Sequence, residues 1–142
     1  MNLQQLQDKI EIQELLARYA RGLDTKDWDL WRSVFVPDAV MDYSSAGIPV
    51  GKRDEIAVTF EQAFTTIPWA QHFISNVEVD LDGDRAKVRA YFFNPMQLPA
   101  MDEQSACGGT YEHDMVRTED GWKSEKVVEN NMWFQNPPAP AA

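Results

Sequence analysis

Near the start of the chain, apolar side chains recur every three or four positions. In the second half they recur every second position. Leu3, Leu6, Ile10, Leu15, Leu16, Tyr19, Ala20 and Leu23 follow the helical spacing and predict one long amphipathic helix. Gly22 and the polar run Asp24-Thr25-Lys26-Asp27 mark its end. A second, short helix is predicted through Trp28, Leu30, Trp31, Val34 and Phe35, with Asp27 as N-cap and Pro37 as stop. Val40 to Tyr43 reads as a strand and residues 44–51 as a loop. Lys52 to Thr65 gives a third helix with Ile56, Phe60, Ala63 and Phe64 along one face.

From Trp69 onward the period becomes two. Phe73, Val77, Val79 and Leu81 predict one strand, the turn Asp82-Gly83-Asp84 ends it, and Ala86, Val88, Ala90 and Phe92 alternate in its hairpin partner. Residues 95–105 read as an irregular loop. Thr110 to Arg117 and Trp122 to Trp133 predict a second hairpin across Glu119-Asp120-Gly121. Helices first and strands afterwards imply an α+β domain over residues 1–135, with the sheet curved around the helices. Residues 136–142, rich in Pro and Ala, read as a flexible tail.

Composition narrows the function more than the fold. A chain of 142 residues, 44% hydrophobic, suits one core rather than two. Aromatic residues make up 11% and include five Trp, enough to line an apolar cavity or simply to fill a core. The net charge of −10 argues against nucleic acid or an anionic membrane as partner. The lone Cys107 excludes an intrachain disulfide and suggests a reducing, cytoplasmic setting; nothing in the chain marks export.

No phosphate-binding loop, dinucleotide fingerprint or nucleophile elbow is present. The two histidines and one cysteine make no metal-ligand spacing, so no metal is expected. Asp80, Asp82 and Asp84 fit a hairpin turn better than a calcium loop. The chemistry that stands out is His72, opening a predicted strand, and Asp24, closing the first helix. A carboxylate beside an imidazole fixes its tautomer and stabilises the imidazolium, which makes a competent base.

The segments Ile12-Gln-Glu-Leu-Leu-Ala-Arg-Tyr-Ala-Arg-Gly-Leu-Asp24 and Asp27-Trp-Asp-Leu-Trp-Arg-Ser-Val-Phe35 resemble the SnoaL-like branch of the nuclear transport factor 2-like superfamily. Gly51, His72, the 82–86 turn, Gly109-Thr-Tyr111 and Asp120-Gly-Trp-Lys123 extend the likeness over about residues 8 to 134. The resemblance implies a cone-shaped α+β barrel. It is greatest to three cofactor-free lyases: scytalone dehydratase, bile-acid dehydratase and hexachlorocyclohexane dehydrochlorinase.

These lyases imply an Asp24–His72 dyad with His72 as base and Tyr19 as acid or carbonyl donor. The dehydrochlorinase carries lysine where this chain has Tyr19, which tilts the expectation toward water loss. The likeness also marks Tyr43 and Asn94 as substrate-binding. Further candidates for the pocket are Trp28, Phe60, Trp69, Met96 and His113. The loop bearing Met96, Leu98 and Met101 would cover a hydrophobic ring. The substrate expected is a small hydrophobic cyclic hydroxy-carbonyl compound, turned over without cofactor. A ketosteroid-isomerase-like reaction, dehydrochlorination and a non-catalytic binding or assembly module stay open on one scaffold. Val127, Val128, Met132 and Phe134 suggest an apolar outer face and a homo-oligomer, trimer first and dimer second.

Overall fold

The computed structural model describes residues 1–138; residues 139–142 of the expected tail lie outside it. Three helices, α1 (Leu3–Asp24), α2 (Trp28–Ser33) and α3 (Arg53–Phe64), pack against one seven-stranded sheet. The strands are β1 (Phe35–Asp42), β2 (Gly51–Lys52), β3 (Trp69–Ala70), β4 (Phe73–Asp82), β5 (Arg85–Gln97), β6 (Ser105–Thr118) and β7 (Gly121–Gln135). Their order is β2-β1-β7-β6-β5, after which β5 pairs with both β3 and β4. The sheet is antiparallel except where β1 runs parallel to β7. No described helix is long and apolar enough to cross a membrane.

α1 opens on a capping box in which Asn2 and Gln5 satisfy each other's backbone N–H groups. Only its second half reads as the sequence pattern suggests. Ile12, Leu15, Leu16, Tyr19, Ala20 and Leu23 are buried, whereas Leu3, Leu6 and Ile10 are exposed. The N-terminal half is instead tied down by a buried aspartate. Asp8 accepts from both terminal nitrogens of Arg117 at 2.7 and 2.9 Å and from the Trp122 indole at 3.1 Å. These bonds hold the Asp8 carboxyl well below the usual carboxylate range, the Arg117 guanidinium contributing most.

Gly22 lets α2 come close: a Cβ there would lie 2.9 Å from Trp31 backbone and side-chain atoms. Trp31 then meets Phe35 at 4.9 Å and Phe60 at 5.5 Å between ring centroids, and Trp28 packs on Phe64 at 5.5 Å. The second helix ends at Ser33, and Phe35 begins β1, a strand that starts earlier than expected. Pro37 falls where the β1–β7 register shifts between Phe35 and Val40, so its missing N–H leaves no ladder bond unmade.

The first hairpin turns at Gly83, and the second at Glu119 and Asp120. A register shift after Ser75, with Asn76 at φ 54°, reverses the expected facing of Phe73, which is 53% exposed on the outer side. β5 continues through Pro95, Met96 and Gln97, so the loop is shorter than expected and Met96 is a buried residue opposite Ala70. Val127 faces the core rather than the outer surface. At the tail, Asn136 is held by Ser105, whose hydroxyl donates to its carbonyl at 2.6 Å.

Asp8→Asn should lower stability by about 2–3 kcal/mol, less than for a fully buried pair because Arg117 keeps 32% of its side chain in water. The wild-type stabilisation should be present above the ordinary Asp range and lost as acid titrates the native carboxyl. Urea unfolding at pH 7 and pH 3 checks both, with the gap between the two proteins narrowing at pH 3.

Candidate active site

α1 delivers Asp24 at its C-terminal end, and the β3–β4 junction delivers His72. One oxygen of Asp24 lies 2.7 Å from His72 Nδ1, and the two oxygens accept from the His72 backbone N–H at 3.1 and 2.9 Å. The carboxylate therefore fixes both the backbone and the ring. With an acceptor at Nδ1, that nitrogen carries the proton and the lone pair lies at Nε2. The His72 side chain is 6% exposed. The groove over this pair is lined by Ala17, Ala20, Phe73, Ile74 and Val77.

Tyr19 and Tyr43 form a second cluster. Their hydroxyls lie 2.7 Å apart in the core, and Tyr111 packs edge-on against Tyr19 at 5.3 Å between centroids. Burial, the largest cause in each case, raises all three hydroxyls well above the ordinary phenol value, so they are neutral donors. Tyr19 does not share the groove of the dyad. Five residues of helix turn about 500°, roughly 140° beyond a full turn, so Asp24 and Tyr19 leave α1 on different sides.

The sheet register links the two clusters. Ala70 opposes Met96 and Phe73 opposes Phe93, which puts His72 opposite Asn94 on the inner face. Asn94 in turn opposes Cys107, and its Nδ2 lies 3.7 Å from the thiol, while its buried Oδ1 has no partner among the described residues. Four residues further along β6, Tyr111 opposes Glu129 on the same inner face. Burial pushes the Glu129 carboxyl up to about 7, against a smaller opposing effect of the Ser45 hydroxyl.

The remaining pocket candidates divide. Phe60 is buried and packs 4.9 Å from Tyr43 between ring centroids, so it backs the tyrosine pair. Trp28 is half-buried among Trp31, Phe60 and Phe64. Trp69 is exposed on the edge strand β3 rather than lining an interior wall. Met96 is packed into the core.

His113, expected as a possible cavity residue, is 2% exposed and its Nδ1 lies 2.9 Å from Ser124 Oγ. Ser124 donates its own proton to the Lys126 carbonyl at 3.0 Å, so His113 Nδ1 donates to Ser124. Burial lowers its pKa to about 4, which keeps it a neutral core group. Sequence reasoning missed Glu129. The available signal was an acidic residue two positions after the inward-facing Val127 on an alternating strand.

A family model of the SnoaL-like domain matches residues 4–128. The uncharacterized protein Rv2910c of Mycobacterium tuberculosis is 37% identical over 131 residues, 91% of this chain and 88% of that protein. A candidate scytalone dehydratase from Novosphingobium aromaticivorans superposes with a TM-score of 0.86 at 20% identity, covering 97% of this chain and 93% of the other. Hexachlorocyclohexane dehydrochlorinase LinA-type3 from Novosphingobium barchaimii gives 0.84 at 18% identity, covering 95% and 93%. At these identities the two structures establish the shared cone-shaped α+β fold.

Replacing Glu129 by Gln should change stability in a pH-dependent way. Against an ordinary value of 4.5, a native carboxyl at about 7 contributes stability that is fully present below the unfolded value and lost as pH rises through the native one. Relative to its value at pH 4.5, the stability of Glu129→Gln measured against wild type should therefore rise by about 2–3 kcal/mol at pH 8. Thermal melts across that range check it; a pH-independent difference contradicts the burial of this carboxyl.

Proposed function

The chain belongs to the SnoaL-like domain family, and from that premise we propose that it is a cofactor-independent lyase acting on a small hydrophobic cyclic hydroxy-carbonyl compound. The observation that carries this reading is the 2.7 Å contact between Asp24 and His72 Nδ1, reinforced by the bonds from the same carboxylate to the His72 amide. Solved neighbours of the same fold are named as a candidate scytalone dehydratase and as a dehydrochlorinase, both names of elimination chemistry.

In the proposed step, His72 Nε2 removes a C–H proton next to the substrate carbonyl, and Asp24 stabilises the imidazolium that results. The C–H electrons form the double bond, the adjacent C–O bond breaks, and the departing oxygen takes up a proton to leave as water. Tyr19 and Tyr43 share one hydrogen bond between two hydroxyls, so the pair retains one proton to offer a carbonyl or leaving oxygen. Asn94, opposite His72 and with an unpartnered Oδ1, is the proposed contact for the substrate's polar edge. Tyr19 serves as donor only for a substrate, or a bridging water, that reaches from the dyad to the tyrosine pair.

We further propose self-association, trimer before dimer, through the outer sheet face. There Phe73, Phe93 and Trp133 make a chain of ring contacts, 6.1 and 5.9 Å between centroids, on an exposed surface. Light scattering should return a multiple of the 16.3 kDa chain mass; a monomer throughout the micromolar range contradicts this.

His72→Ala should lower turnover by about three orders of magnitude or more and leave the fold intact. Asp24→Asn should lose about two to three orders, and Tyr19→Phe about one order in kcat with little change in KM. The assay follows the ultraviolet absorbance of the new conjugated double bond over a panel of cyclic hydroxy-ketones, with a chelator present throughout. Undiminished turnover in His72→Ala refutes the proposed base.

A further inference from the structure

Glu129 is a largely buried carboxyl on the inner face of the sheet that the dyad does not use. It stands directly across from Tyr111, and β1 ends beside it so that Tyr43 follows on the other flank. Its one hydrogen-bond contact among the described residues is the Ser45 hydroxyl, 3.5 Å from Oε1. That hydroxyl has a single proton, which it donates to the Glu129 backbone carbonyl at 2.8 Å while accepting from the Asn131 amide at 2.9 Å. The carboxyl is thus left without a committed donor or a cation, an arrangement that costs free energy unless something else supplies the missing hydrogen bond. A groove lined by Ser45, Asn131, Phe134 and Pro137 adjoins it through Ser45 and offers an aromatic ring and apolar walls.

We propose that Glu129 determines substrate specificity by accepting a hydrogen bond from a hydroxyl group carried on an aromatic or alicyclic ring, at the end of the molecule away from His72. The inference deepens the proposed lyase function and rests on it for the placement of the reacting end. It narrows the substrate class to ring compounds that carry a second hydroxyl remote from the one eliminated.

A site built around an acceptor rejects the analogue lacking the donor, because the acceptor is then buried unpaired. The groups facing Glu129 are Tyr19 from α1, Tyr43 at the end of β1, and Tyr111 and Cys107 from β6. All four are held neutral because burial raises each of them. Glu129 itself therefore governs any pH dependence in this region, near its own value of about 7.

The probes are 2-naphthol, which has the donor, and 2-methoxynaphthalene, which has the same rings without it. Equilibrium binding is read by calorimetry at pH 6 and pH 8. Wild type should prefer 2-naphthol roughly tenfold at pH 8 and less at pH 6, since the ionised carboxylate is the stronger acceptor. Glu129→Met should abolish the preference, with 2-methoxynaphthalene binding tighter than in wild type because no acceptor is left unpaired. Glu129→Gln, which keeps an acceptor but no charge, should retain a preference that is flat with pH. Equal affinities in wild type, no binding of 2-naphthol, or a preference that survives Glu129→Met overturns the proposal. Because binding is read without turnover, the two readings fail separately. Absence of turnover across the hydroxy-ketone panel in the wild type, with the naphthol preference intact, removes only the lyase reading. Turnover lost in His72→Ala without any preference removes only the role of Glu129.

Discussion

One carboxylate at the end of one helix holds the candidate site together. Asp24 receives the His72 backbone N–H and lies against the His72 ring at once. It stands where α1 gives way to the turn into α2, and it reaches a residue 48 positions away at the junction between β3 and β4. The backbone bonds set the strand against the helix, and the ring contact sets the tautomer. A shift of either element would break both, so the geometry of the site and the docking of α1 on the sheet are the same constraint.

The sheet converts that constraint into an ordered inner surface. Its register places His72, Asn94 and Cys107 in one row and Ala90, Tyr111 and Glu129 in another, with Tyr43 at the margin. Aromatic packing from Trp31 and Phe60 on the helices, and from Phe35 at the start of β1, supports this wall. The polar groups are few and mostly neutral: the tyrosine hydroxyls and the thiol are raised by burial, and His113 is kept uncharged by the same effect. Low local polarity strengthens whatever hydrogen bonds a ligand makes there.

Much of the architecture was legible because the periods of three to four and of two are set by which side of each element is buried. Tyr19, Ala20 and Leu23, or Val88, Ala90 and Phe92, could be assigned inward from spacing alone. The misreadings came where a long-range interaction outweighed the local pattern. Leu3, Leu6 and Ile10 share the helical spacing, yet Asp8 with Arg117 and Trp122 fixes that end of α1. Phe73 keeps the period of β4, but the irregularity at Asn76 turns it outward. For the site, the Asp24–His72 juxtaposition was suggested by family likeness and not by spacing. Period two put His113 on the same face as Tyr111 but could not distinguish packed core from cavity. Glu129 escaped notice because its burial depends on Ser45 and Tyr111, which only the fold brings to it.

The central claim is that Asp24 holds His72 with its proton on Nδ1, leaving Nε2 free to act as a base. Nitrogen-15 NMR of the imidazole ring of His72 at pH 8 tests this most directly, because the two ring nitrogens differ in shift and coupling according to which bears hydrogen. The account predicts that the Nδ1–H tautomer dominates, and that it loses its dominance in Asp24→Asn. A ring in the Nε2–H form in the wild-type protein would contradict it.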